Sequence, residues 1–209
     1  MKEILEETTY GLNDMVRAAA NDCKGCHACC QGMGTSVVLD PLDVCLLTWN
    51  LGLGFEELLK EHLELQVTDG LILPNLQMSG QNEACSFLNE QGRCGIHAFR
   101  PGLCKTFPLG RQYEDGKLSY FLLPGACAVE NRSKVKIGKW LDTPQLKQNQ
   151  QYLIDWHAFR KQMEAKIQSM TEPGQIKRLN MKILTVFFVQ PYDKDRDFYE
   201  QFYERLHTI

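Results

Sequence analysis

No long apolar run interrupts this 209-residue chain. The longest stretches, VCLLTW and ILTVFFV, fall far short of the roughly 20 residues a membrane helix needs, so no membrane span is expected. Neither sign of charge dominates: 23 Lys and Arg stand against 26 Asp and Glu, for a formal net charge of −3. That balance indicates no nucleic-acid partner. Internal repeats and low-complexity tracts are missing, so no repeat architecture is expected. No strand–G-x-G-x-x-G–helix unit is present, which leaves out a Rossmann-type nucleotide site. The opening MKEILEETTYGLNDM is acidic and lacks the apolar core of a secretory signal, and the expected compartment is the cytoplasm.

What the chain does have is cysteine. There are nine: Cys23, Cys26, Cys29, Cys30, Cys45, Cys85, Cys94, Cys104 and Cys127. In a reducing compartment disulfides are rare, so this many thiols point to metal or cluster ligation. Hydrophobic residues make up 44% of the chain, enough for a real core. The length suits one domain, or one domain with a helical appendage.

Apolar residues at Ile4, Leu5, Leu12, Met15, Val16 and Ala19 follow roughly helical spacing, which predicts an amphipathic helix over 3–20. The Gly- and Cys-rich stretch 21–36 reads as loop. LDPLDVCLLTWNLG reads as a helix capped by Asp40, with Pro41 in its first turn and Gly52 as its stop. GFEELLKEHLE is a second short helix. LELQVTDGLILP predicts a hairpin turning at Asp69-Gly70, and PLGRQYEDGKLSYFLLP another around Glu114-Asp115-Gly116. Past residue 143 a long helix is expected, with Thr143 as N-cap, Pro144 at its first position and no breaker before Pro173. GQIKRLNMKILTVFFV fits a helix or, at its β-branched end, a strand. DKDRDFYEQFYERL closes the chain as a helix with Phe198, Phe202 and Leu206 on one face.

The expected fold class is therefore α+β, mostly helical. Short strands and metal-binding loops fill the cysteine-rich half, and the N- and C-terminal segments are helical. Residues 1–140 are expected to form a cysteine-cluster metal-binding domain, with 141–209 a helical extension packed on it.

CKGCHACC places four thiols in eight residues, Cys23 to Cys30. A C-x2-C turn brings two sulfurs to one side of a tight loop, where they can grip one soft metal centre. Cys23, Cys26 and Cys29 repeat that step, like the C-x2-C-x2-C segment that holds three corners of a cubane cluster. Successive side chains point apart, so Cys29 and Cys30 are not expected to share one zinc easily. Cys85, Cys94, Cys104 and Cys127 follow in loops rich in Gly and Pro, which suits a preorganised site. The candidate ligands are thus Cys23, Cys26, Cys29, Cys30, Cys85, Cys94, Cys104 and Cys127. Cys45 is left over, on an apolar helical face, and reads as a small core residue. His27 and His97 flank the cysteines and are candidates to replace a thiolate. His62, His157 and His207 read as surface helix residues. Four thiolates around zinc or an oxidised cubane leave a charge of about −2. Lys24, Arg93, Arg100, Lys105 and Arg111 lie near the ligands in sequence and are candidates to offset it. Pro101 forces Arg100 out of helical geometry at a sharp corner, as a structural brace or facing a bound anion.

CxxCxxCC at 23–30, followed by C-x-F-L…G-x-C-x-I-H-x-x-R-P-x-x-C-x-x-F-P at 85–108, resembles the YkgJ-like CxxCxxCC cysteine-cluster proteins, described as zinc- or iron-chelating domains. Phe87, Leu88, Gly92, Ile96, His97, Arg100, Pro101, Phe107 and Pro108 agree with it, over roughly residues 21–130. The resemblance implies metal binding. A related cysteine cluster, in flagellin lysine N-methylases, is associated with an iron–sulfur centre and S-adenosylmethionine. The C-x3-C-x2-C spacing of radical-SAM enzymes is absent. The leading expectation is eight thiolates holding an iron–sulfur cluster, of the 4Fe-4S type, and/or zinc, with a redox or protein-modification role. Two alternatives stay open: a structural zinc protein with an interaction surface, and a S-adenosylmethionine-dependent enzyme acting on a protein lysine. The substrate or protein partner is unknown at this level.

Overall fold

A computed structural model describes residues 8–20, 26–129 and 131–209. Of these residues 42% are helical and 22% are strand, divided among several small sheets. The protein is a mixed α+β fold, and the expectation of a mostly helical chain with a helical N-terminal segment is overturned. The part of the expected first helix that falls on residues 3–7 lies outside the described residues. The rest forms strands β1, Thr9–Tyr10, and β2, Met15–Ala19. Asp14 turns the chain between them, its carboxylate accepting from Gly11 N at 2.7 Å. Along β2, buried Val16 and Ala18 alternate with exposed Met15 and Arg17, which is a period of two. The sequence spacing misleads because the partner of β2 is strand β9, Ser133–Lys136, more than a hundred residues away.

The next elements follow from local chemistry. Helix α1, Pro41–Leu51, opens on a reciprocal capping box. Asp40 Oδ1 accepts from Asp43 N at 3.0 Å, and Asp43 Oδ2 accepts from Asp40 N at 3.1 Å. Gly52 stops the helix in left-handed geometry, φ 69°. Helix α2, Phe55–Glu61, starts where Glu57 Oε2 accepts from Gly54 N at 2.6 Å. Strands β3, Leu63–Thr68, and β4, Leu71–Leu76, form a hairpin around Asp69 and Gly70, both at positive φ. Short strands β5, Met78–Ser79, and β6, Ala84–Cys85, pair next. Helix α3, Gly102–Thr106, leads into the hairpin β7, Leu109–Glu114, and β8, Lys117–Leu122, turning at Asp115-Gly116. β1 adds to the far side of β8, giving the sheet order β1-β8-β7.

Helix α4, Ile137–Trp140, is a single turn. Helix α5, Leu146–Gln168, begins later than expected. Thr143 does not cap it, because Thr143 Oγ1 donates to Leu141 O at 2.9 Å, and Gln145 takes a left-handed conformation, φ 50°. Helix α6, Pro173–Leu184, resolves the open helix-or-strand reading as helix and runs into a short π-helix over Thr185–Val189. Helix α7, Phe198–Leu206, is capped by Asp197, whose carboxylate accepts from Tyr199 N and Glu200 N. One apolar cluster joins α1, the hairpins and the three long C-terminal helices, and Tyr152, Trp156, Phe187 and Phe202 interlock within it. Among the described residues no helix is long and apolar enough to cross a membrane.

Candidate metal centre

Three short segments carry the thiols. In the first, Ala28–Cys30 form a 3-10 turn, closed by Cys30 N donating to His27 O at 2.9 Å. A bridge between Gln31 and Ala84 ties this turn to β6, which ends on Cys85. In the second segment Asn89 gathers a tight loop. Its side-chain oxygen accepts from Gln91 N and Arg93 N, at 3.1 and 2.8 Å. The bridge Leu88–Cys94 then returns Cys94 toward Cys85. Gly92, at φ 67°, sits against His27, where an added Cβ would lie 3.0 Å from the ring, so the second loop closes over the first. In the third segment the Arg100-Pro101 corner is extended, ψ 150° at Arg100, and starts α3, which carries Cys104.

These segments surround a cleft of about 660 Å³ lined by Cys26, Cys29, Cys30, Cys85, Cys94 and Cys104. Much of the remaining wall is apolar, including Met33, Leu76, Ile96 and Trp140. All six thiols are free, as are Cys45 and Cys127. Cys29 and Cys30 do not diverge as expected from their adjacency. A 3-10 turn rotates successive residues by about 120° rather than the alternation of a strand, and both side chains line the cleft. The neighbouring Cys30 thiol, as a donor, holds Cys29 down to about 6, opposed by burial and aided by the nearby Arg100 charge. The same partner, then burial, pushes Cys30 up. Burial also raises Cys85, Cys94 and Cys104.

The donor chemistry suits a soft metal. Thiolates in a mostly apolar, partly sealed cleft are the ligand set of zinc and of iron–sulfur centres. Among the described residues no group of three or more Cys, His, Asp or Glu is already set to hold a metal ion.

The remaining candidates divide. Cys23 and Lys24 lie outside the described residues. Cys127 is half-buried and does not line the cleft. Cys45 is 2% exposed on α1, and burial pushes its thiol up to about 12. His97 lines the cleft and is 2.8 Å from Arg100 Nη1 through Nε2. Arg93 and Arg100 also line it, near enough to offset thiolate charge. Two histidines depart from the surface-helix reading. His62 stacks on Phe87 at 4.2 Å, and His157 on Tyr113 at 4.0 Å.

Arg111 has a different role from the one its place in sequence suggested. It lies with Asp40 and Asp43, both buried, behind α3. Asp43 Oδ1 accepts from Gly102 N at 2.7 Å, which anchors the helix that carries Cys104. Asp40 Oδ1 accepts from Tyr152 Oη at 3.0 Å, and Tyr152 Oη accepts from Leu42 N. Burial raises both carboxyls, Asp43 to about 7. Sequence reasoning saw Asp40 as a cap and missed this group. The Asp-x-x-Asp box was visible, but its approach to Arg111 is tertiary.

A family model described as "CxxCxxCC: Putative zinc- or iron-chelating domain" matches residues 22–128. No curated protein and no solved structure matches the chain.

Proposed function

Because the chain belongs to the CxxCxxCC family of zinc- or iron-chelating domains, we propose that its metal is a polynuclear iron–sulfur cluster held in the cysteine cleft. Cys26, Cys29, Cys30, Cys85, Cys94 and Cys104 supply the thiolates, with Cys23 joining from the same run. One observation carries this choice over zinc: six thiols from three segments line a single cleft of about 660 Å³, and the first segment belongs to the C-x2-C-x2-C run that resembles the holder of three cubane corners.

The chain's own residues suit a thiolate-bound metal in three ways. The Cys30 thiol and the Arg100 charge hold Cys29 below the usual thiol range, toward the thiolate a metal needs. Arg93 and Arg100 place positive charge at the rim, and the apolar wall excludes water. Asp43 fixes the start of α3 and with it the position of Cys104. A bound cluster supplies one-electron transfer, so the function proposed is a redox step.

Iron and acid-labile sulfide are measured on anaerobically purified protein, with its visible spectrum. Brown protein with iron and sulfide in similar amounts is the expected result. Colourless protein carrying zinc and no iron overturns the reading and favours a structural zinc role.

A further inference from the structure

Behind the cysteine cleft, and sharing Arg100 with it, lies a second cavity of about 280 Å³. Arg100, Lys105 and Arg111 line it. Among the described residues none of these three cations forms an ion pair with a carboxylate. Arg111 Nε is sealed from solvent and has no hydrogen-bond partner. An unsatisfied guanidinium N–H in such a place is costly unless something accepts from it. Arg196, also on the wall, is already engaged by Glu204 at 2.6 Å, and Asp197 by the first turn of α7.

We propose that this cavity binds a small organic monocarboxylate with an apolar body, beside the metal centre. Charge sets the head group. Arg100, Lys105 and Arg111, none of them in a salt bridge, stand on the wall beside the buried acids Asp40 and Asp43, so a ligand with a single negative charge has donors to meet without crowding those acids. A phosphate dianion brings a second negative charge against the two buried carboxyls, whereas a carboxylate does not. A carboxylate also matches the planar donors of Arg100 and Arg111. The other wall sets the body: Leu46, Trp49, Leu153 and Phe198 offer apolar surface. The volume falls at the small end of ligand sites, room for one short aryl or branched acid. This inference does not depend on which metal fills the cleft.

The test uses the full, metal-loaded chain and calorimetric titration with phenylacetate, with 2-phenylethanol and inorganic phosphate as comparison probes. Saturable one-to-one phenylacetate binding is expected, with either comparison probe weaker by about tenfold or more, the loss for one charge-assisted hydrogen bond. Lys105→Gln and Arg111→Gln should each weaken phenylacetate by about tenfold or more with metal content unchanged. Arg111→Gln is the variant at risk of misfolding, and Lys105→Gln then decides alone. No saturable binding, phosphate binding as tight as phenylacetate, or folded Lys105→Gln that binds like the parent overturns the proposal.

Discussion

Replacing Asp43 by asparagine should change how stability depends on pH, in a direction the structure dictates. Asp43 is 5% exposed, and burial, then the neighbouring Asp40, raises its carboxyl from 3.8 to about 7. Between those two values the folded chain holds a proton that the unfolded chain has released. The contribution is therefore fully present below pH 3.8 and is lost as pH rises through about 7. Three pH units at 1.36 kcal/mol each give about 4 kcal/mol as the ceiling, lower to the extent that Asp40 shares the proton. The asparagine side chain in Asp43→Asn would mimic the protonated acid: its oxygen can still accept from Gly102 N, while its amide opposes Asp40 N at any pH. Metal loading has its own pH dependence, common to both proteins, so the quantity to follow is the difference between them. Urea unfolding at matched metal content, from pH 4 to pH 8, should show parent stability falling against Asp43→Asn by up to about 4 kcal/mol. Parallel curves across that range would refute the assignment of a buried proton to Asp43.

Phe202 is fully buried between Tyr152, at 4.7 Å, and Phe187, at 5.7 Å. Phe202→Ala should cost about 3–5 kcal/mol in denaturant unfolding, because rings on three helices cannot collapse into the gap together. Cys26→Ser should lose metal, while Cys45→Ser should keep its full content and cost about 1–3 kcal/mol for a buried hydroxyl; elemental analysis that finds the two alike would show that the ligands are misassigned.

Several elements were legible because their causes lie within a few residues. Asp40, Pro41 and Gly52 mark α1 by chemistry that acts over one turn. Asp69-Gly70 and Asp115-Gly116 both adopt the positive φ that their hairpins require. The N-terminal helix failed for the opposite reason. Val16 fits the helical spacing with Leu12 and Ala19 as well as the strand alternation with Ala18, and only pairing with Val135 and its neighbours makes it a strand residue. Thr143 likewise had the chemistry of a cap, but its hydroxyl is taken by Leu141.

For the candidate site the division is similar. Cysteine number, the C-x2-C steps and the motif around residues 85–108 determined on their own that this chain belongs to a zinc- or iron-chelating family, because ligand type and loop spacing are local properties. Tertiary structure decided which thiols meet. It gathers Cys26, Cys29, Cys30, Cys85, Cys94 and Cys104 around one cleft and leaves Cys127 off its wall. It also turns Arg111 away from the thiols toward Asp40 and Asp43. Such encounters depend on how hairpins and helices stack over distances of a hundred residues, which no spacing along the chain encodes.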